Sequence, residues 1–143
     1  MNGRALLRQL PVRIATGAFV LNSGLGKLNA DREKAAQLHG FAASTYPVLG
    51  KLEPDKFARL LAAGEIATAA ALLIPVVPAA IAGLGLSAFA AGLLGLYLST
   101  PGMREKGSLR PTEQGIPLAK DVWLLGIGLS LVLDDVLDQE DRR

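Results

Sequence analysis

The chain has 143 residues, half of them hydrophobic and a fifth charged, with a net charge of +2, no cysteine and one histidine. That length bounds it to one domain, and so small and dispersed a charge, with no basic stripe or interleaved aromatics, excludes a nucleic-acid partner. The absence of cysteine excludes disulfide staples, thiol relays, iron–sulfur ligation and Cys-based zinc sites, and a single histidine excludes a bis-His haem held by this chain alone.

Charge distribution says more than composition. The charges gather in residues 4–13, 27–59 and 104–121 and in an acidic tail. Between them lie apolar blocks of roughly the length a bilayer crossing demands, so the chain reads as an integral membrane protein.

Residues 1–13 are basic, with Arg4, Arg8 and Arg13 and no acid, and residues 14–26 are uncharged. A secretory signal peptide begins in the same way, but Leu28 stands where a small residue is wanted ahead of a cleavage after Ala30. A retained first helix over about 11–28 is the preferred reading, with Pro11 in its first turn. At about 27 Å it barely spans, and Lys27 must snorkel or find a partner.

Residues 31–50 form a weak helical stripe through Ala35, Ala36, Leu38, Phe41 and Ala42, broken by Tyr46-Pro47 and Gly50. The expectation is an interfacial or partly re-entrant helix. Glu53-Pro54-Asp55 then opens a second long helix, about 55–74, with proline early and acids where the helix dipole favours them.

From Ile66 to Met103 no residue is charged, a run of 38 residues. As one helix it would measure about 57 Å, nearly twice a bilayer core of about 30 Å, so it must fold back. Pro75 and Pro78 supply the break and give a helical hairpin with a tight turn. Its second arm, about 79–98, carries a row of small residues at i+4 spacing, Ala79, Gly83, Ser87, Ala91, Gly95 and Ser99, suited to close helix packing in lipid. A polar loop follows, and Pro117 opens a fourth long helix to about Leu133, with Trp123 as an interfacial anchor beside Tyr46 and Tyr97 as further aromatic-belt residues. Residues 134–143 are expected to be a solvated tail. The fold class is therefore all-α, a four-helix membrane bundle with an interfacial helix between the first two spans. Lys and Arg counts favour termini outside, but the first helix has nearly balanced flanks, and orientation stays open.

The first helix ends in Phe19-Val20-Leu21-Asn22-Ser23-Gly24-Leu25-Gly26-Lys27, an interfacial segment follows, and Gly64-Glu65 opens into the apolar hairpin. In this order the chain, from about residue 13 to 133, resembles the DoxX-like family of small four-helix membrane proteins. The resemblance implies association with membrane redox systems, such as a subunit of a thiosulfate:quinone oxidoreductase or a membrane component of an oxidative-stress complex.

Lys27 and Glu65 are the candidate site, with His39 as a third member of a polar pocket. Ionisable groups at membrane depth are costly unless paired. One reading is a polar site for a quinone headgroup or a proton; the other is a purely structural salt bridge, with Arg59 or Lys120 as alternative partners for Glu65. His39 could accept a proton from a quinone or be a packing residue. No nucleophile–base pair, phosphate-cradling loop or metal-ligand cluster occurs at recognisable spacing, so a self-sufficient enzyme is not expected. Three functions stay open in a multi-pass cell-membrane protein whose partners are the bilayer and other proteins of a complex. They are a non-catalytic scaffold of a redox assembly, a quinone-binding oxidoreductase subunit, and a small transporter or lipid-binding protein.

Overall fold

In a computed structural model, described over residues 3–143, the chain is all-α. Helix α1 runs Gly3–Leu28, α2 Arg32–Thr45, α3 Pro54–Leu73, α4 Ala79–Ser99, α5 Ile116–Ala119 and α6 Asp121–Glu140, with a 3-10 turn at Pro47–Lys51. The long helices form two tightly packed pairs, α1 with α3 and α4 with α6. They meet over a core of Val20, Ala69, Leu72, Ala79, Ala82, Leu86 and Leu131.

Local chemistry accounts for the boundaries. Asp31 caps α2 by accepting a hydrogen bond from the Lys34 amide at 2.8 Å. Pro54 occupies the first turn of α3, where its missing donor costs nothing. The Pro75–Pro78 segment breaks the apolar run as expected, and α4 begins directly after it.

Two ends differ from the expected ones. Helix α1 starts at Gly3, so Pro11 lies within it rather than in its first turn. Helix α6 runs to Glu140, and the tail expected to be solvated is mostly helix. Both extensions have one cause, a polar network that joins them. Asp134 accepts from Gln9 Nε2 at 2.6 Å and pairs with Arg8 at 2.6 Å, while Asp135 accepts from the Ala80 amide at 3.2 Å. Asp135 thereby satisfies a free donor at the start of α4, where the helix dipole favours an anion.

Arg13 sits at the same end and is 1% exposed. Its Nε donates to the Leu72 carbonyl at 2.8 Å, and its Nη2 to those of Ala71, Ile74 and Val77 at 2.9, 2.9 and 3.0 Å. These oxygens lie at the end of α3 and in the proline turn, where no helical amide follows to take them. One guanidinium thus caps α3 and fastens the hairpin.

The α4–α6 seam depends on glycine. A Cβ on Gly83 would come within 2.4 Å of the Gly128 carbonyl oxygen, and one on Gly128 within 2.3 Å of Ser87 Oγ. Hence the first half of the small-residue row, Ala79, Gly83 and Ser87, is buried against α6. Gly128→Val is expected to destabilise the protein by about 1–3 kcal/mol or more, as overpacking does. Gly126→Ala, on the same helix but with open space around it, should be neutral or slightly stabilising. Reversible unfolding in mixed micelles measures both.

Among the described residues two helical stretches, Ala79–Ser99 and Ile116–Glu140, are long and apolar enough to cross a membrane. Helices α1 and α3 are less apolar because each carries four charged residues, Arg4, Arg8, Arg13 and Lys27 in α1 and Asp55, Lys56, Arg59 and Glu65 in α3, of which Arg13 and Glu65 are buried.

Candidate functional site

Lys27 and Glu65 meet at the opposite end of the α1–α3 seam from Arg13. Gly24 brings the helices together, since a Cβ there would lie 3.1 Å from Glu65 Cβ and 3.2 Å from the Ile66 amide nitrogen. One turn further on, Lys27 therefore lies over Glu65. Its Nζ is 2.9 Å from Oε1 and 3.2 Å from Oε2, and it donates to Ser23 Oγ at 2.7 Å. The Glu65 side chain is 1% exposed and that of Lys27 20%. Asp121, at the start of α6, is close enough to interact electrostatically with both.

The pair contributes the polar part of the lining of an open-sided cavity of about 330 Å³ whose other walls come from α2, α3 and α4. Its walls are apolar and partly aromatic, with Phe41, Phe57, Leu61, Phe89 and Leu93 among them, and Leu118 of α5. The volume suits a small ligand pocket, apolar with a few placed polar groups. Helix α2, expected as an interfacial element, covers this cavity: its Leu38, Phe41 and Ala42 line it. Tyr46, after α2, anchors the cover by donating to the Gly92 carbonyl at 2.7 Å. Gly95 makes room for this, because a Cβ there would fall 2.0 Å from the tyrosine oxygen.

His39 is placed differently. Its Nε2 hydrogen-bonds the Leu49 carbonyl at 2.8 Å, and its ring meets Phe57 edge-on at 5.5 Å. It braces α2 on α3 and is not among the residues lining the cavity. Arg59 and Lys120 do not partner Glu65; both are exposed. Of the three aromatic-belt residues, Tyr46 is tied to Gly92 and Tyr97 donates to the Leu109 carbonyl at 2.6 Å, whereas Trp123 is 66% exposed on the outer surface. Ser23 bonds Lys27, while Asn22 points outward.

Sequence reasoning missed Asp121 as a neighbour of the pair and Tyr46 as a cavity residue. The position of Asp121 in the first turn of an apolar helix was the available signal, since an acid there faces either water or a cation. No group of three His, Asp or Glu that could hold a metal occurs among the described residues.

This arrangement defines an all-α protein with an apolar cavity ending in a buried ion pair, and with two helical stretches able to cross a membrane. Comparison with protein-family models, with curated proteins and with solved structures finds no match.

Proposed function

We propose that this chain is a multi-pass cell-membrane protein of the DoxX-like kind, and that its cavity binds a lipophilic molecule with a polar, hydrogen-bonding head, for which a quinone is the fitting class. The observation that carries this reading is the apolar, aromatic-walled cavity that ends in Lys27 and Glu65. A carbonyl on a flat ring needs a donor in an otherwise apolar slot. Lys27 Nζ supplies that donor, Glu65 and Ser23 orient it, and Phe41 and Phe89 supply apolar walls. A bound quinone would contribute two-electron, two-proton carrier chemistry, with its reductant on a partner protein.

Membrane embedding in four spans is supported by an inverted distribution of side chains. Leu7, Ile14, Phe19, Leu60, Leu84, Leu129 and Leu133 are exposed, while Gln9, Arg13, Glu65 and Asp135 are buried among alanines. In water, large contiguous apolar surfaces are a liability, and buried charges without a surrounding apolar medium have no evident use. In a bilayer the exposed apolar side chains meet lipid, while Gln9, Arg13, Glu65 and Asp135 find their hydrogen-bond partners inside the bundle.

The scaffolding role accompanies this reading, through the α4–α5 connection. That loop is folded rather than loose: Arg104 bridges to Pro111, donates to the Ser108 and Leu98 carbonyls, and Tyr97 holds Leu109. A preset polar surface of this kind suits a partner protein. The small-residue face of α4 offers less, since its first half meets α6 and Gly95 makes room for Tyr46.

The test is gentle detergent extraction from native membranes, organic extraction of bound quinone and mass spectrometry of co-purifying proteins. Quinone retained by the parent chain and reduced at least tenfold in Glu65→Gln, equivalent to about 1.4 kcal/mol, is the expected outcome. Equal retention in the two would remove the ion pair from the binding site, and stoichiometric partners without quinone would leave the scaffold alone.

A further inference from the structure

Lys27 borders two spaces of opposite character. On one side lies the apolar cavity; on the other is a polar vestibule of about 260 Å³ lined by Lys27, Asp31, Arg32, Asp55 and Arg59. Lys27 is the one residue the two linings share. The other four charged residues are exposed and belong to helix ends, so the vestibule faces water. The partition is thin: Phe57 lines the cavity and the next residue, Ala58, lines the vestibule. A lysine is suited to stand in such a partition, because its flexible four-carbon stem lets one ammonium serve partners on either side.

We propose that Lys27 is a gate between the aqueous vestibule and the ligand cavity, and that protons reach the polar end of the cavity through it. This rests on the reading of the cavity as a ligand site. With Nζ held by Glu65 and Ser23, Lys27 stands between the cavity and the vestibule, and the cavity's open side faces away from the vestibule toward the apolar outer surface beside Ala88. Lys27 hands one ammonium proton to the Glu65 oxygen 2.9 Å away and, as the neutral amine, takes a proton from hydronium in the vestibule it borders, which leaves Glu65 neutral and cancels the charge that holds Lys27. The freed ammonium then turns toward the carboxylates of Asp31 and Asp55, and water follows to Glu65. Loss of the proton restores the ion pair. Arg32 and Arg59 in the vestibule oppose the outward turn, and Asp121 on α6 favours return, so the closed arrangement is the resting one.

The chain contains no cysteine, so single cysteines report access without background. Leu61→Cys marks the cavity, Arg59→Cys the vestibule and Leu84→Cys the outer face of α4. The protein is reconstituted in lipid nanodiscs and labelled with membrane-impermeant methanethiosulfonates, one cationic and one anionic, followed by intact mass. With Lys27 present, Leu61→Cys should react slowly and Arg59→Cys fast. Adding Lys27→Ala should speed labelling at Leu61→Cys at least tenfold with both reagents, leave Arg59→Cys unchanged and leave Leu84→Cys unreactive, while Lys27→Arg keeps the slow rate. If Lys27→Ala does not fold, the neutral pair Lys27→Ala with Glu65→Ala gives the same expectation. Equal rates at Leu61→Cys, acceleration by one reagent alone, or acceleration shared by Leu84→Cys overturns the gate. No quinone enters this measurement, so a gate without quinone retention would reject the ligand reading and keep the gate.

Discussion

Arg13→Leu is expected to cost about 3–5 kcal/mol of stability, because it strips one guanidinium from four carbonyl oxygens at once. The leucine fills space but donates nothing. The carbonyls of residues 71, 72 and 77 are then left at a helix end and a proline turn without the donor they lost, while that of Ile74 keeps the Val77 amide at 3.1 Å. Each buried polar group without a partner costs about 1–3 kcal/mol, and partial relaxation of the turn keeps the sum below four separate penalties. Arg13→Lys keeps the charge but replaces a planar fork by a single ammonium, so it should recover only part of the loss. Reversible unfolding in mixed micelles measures the series. A loss below about 1 kcal/mol for Arg13→Leu would mean the hairpin is held by packing alone.

The second large effect is a coupling. Glu65→Ala strands Lys27, and Lys27→Ala strands a carboxylate that is 1% exposed, so each should destabilise by about 3–5 kcal/mol. The double variant should cost clearly less than the two combined, since it leaves neither charge buried alone. Lys27→Ala should be the worse of the two, because Lys27 retains Ser23 and a path to the vestibule when Glu65 is lost, whereas Glu65 has no other bonded partner among the described residues. Additive losses would mean that the two charges are stabilised independently of each other, and that the pair does not act as a unit.

How far the sequence discloses this arrangement depends on whether the cause is local. The hairpin limits follow from Pro75 and Pro78, whose effects act on their neighbours, and α3 and α4 start and stop within a residue or so of the expected positions. Lys27 with Glu65 was also legible, because a charge within an apolar rod needs a partner and few are available. Arg13 was not. It reads as one more residue of a basic segment, and its acceptors lie about sixty residues away in the chain, with no spacing rule to join them. The signal was indirect: a proline break frees carbonyls, and something must donate to them. Asp134 and Asp135 escape a sequence reading for the same reason, since a pair of acids after an apolar helix looks solvated while the Ala80 amide and Gln9 opposite them are distant in the chain. The small-residue row of α4 was recognised, but which neighbour it meets is a matter of topology, and α6 occupies its first half. His39 drew attention as a lone titratable residue; its bond to Leu49 and its contact with Phe57 come from the 3-10 turn, which folds the chain back over α2.

The most direct measurement is an NMR titration of the isotope-labelled chain in lipid nanodiscs with a short-chain quinone. Saturable shifts confined to cavity residues such as Leu61, Ala88 and Gly92, absent at outward-facing Leu84 and Leu129, and abolished in Glu65→Gln are the expected result. Shifts that grow linearly with quinone and fall mainly on Leu84 and Leu129 would show the molecule dissolving in lipid around the bundle, and would contradict a binding site at Lys27 and Glu65.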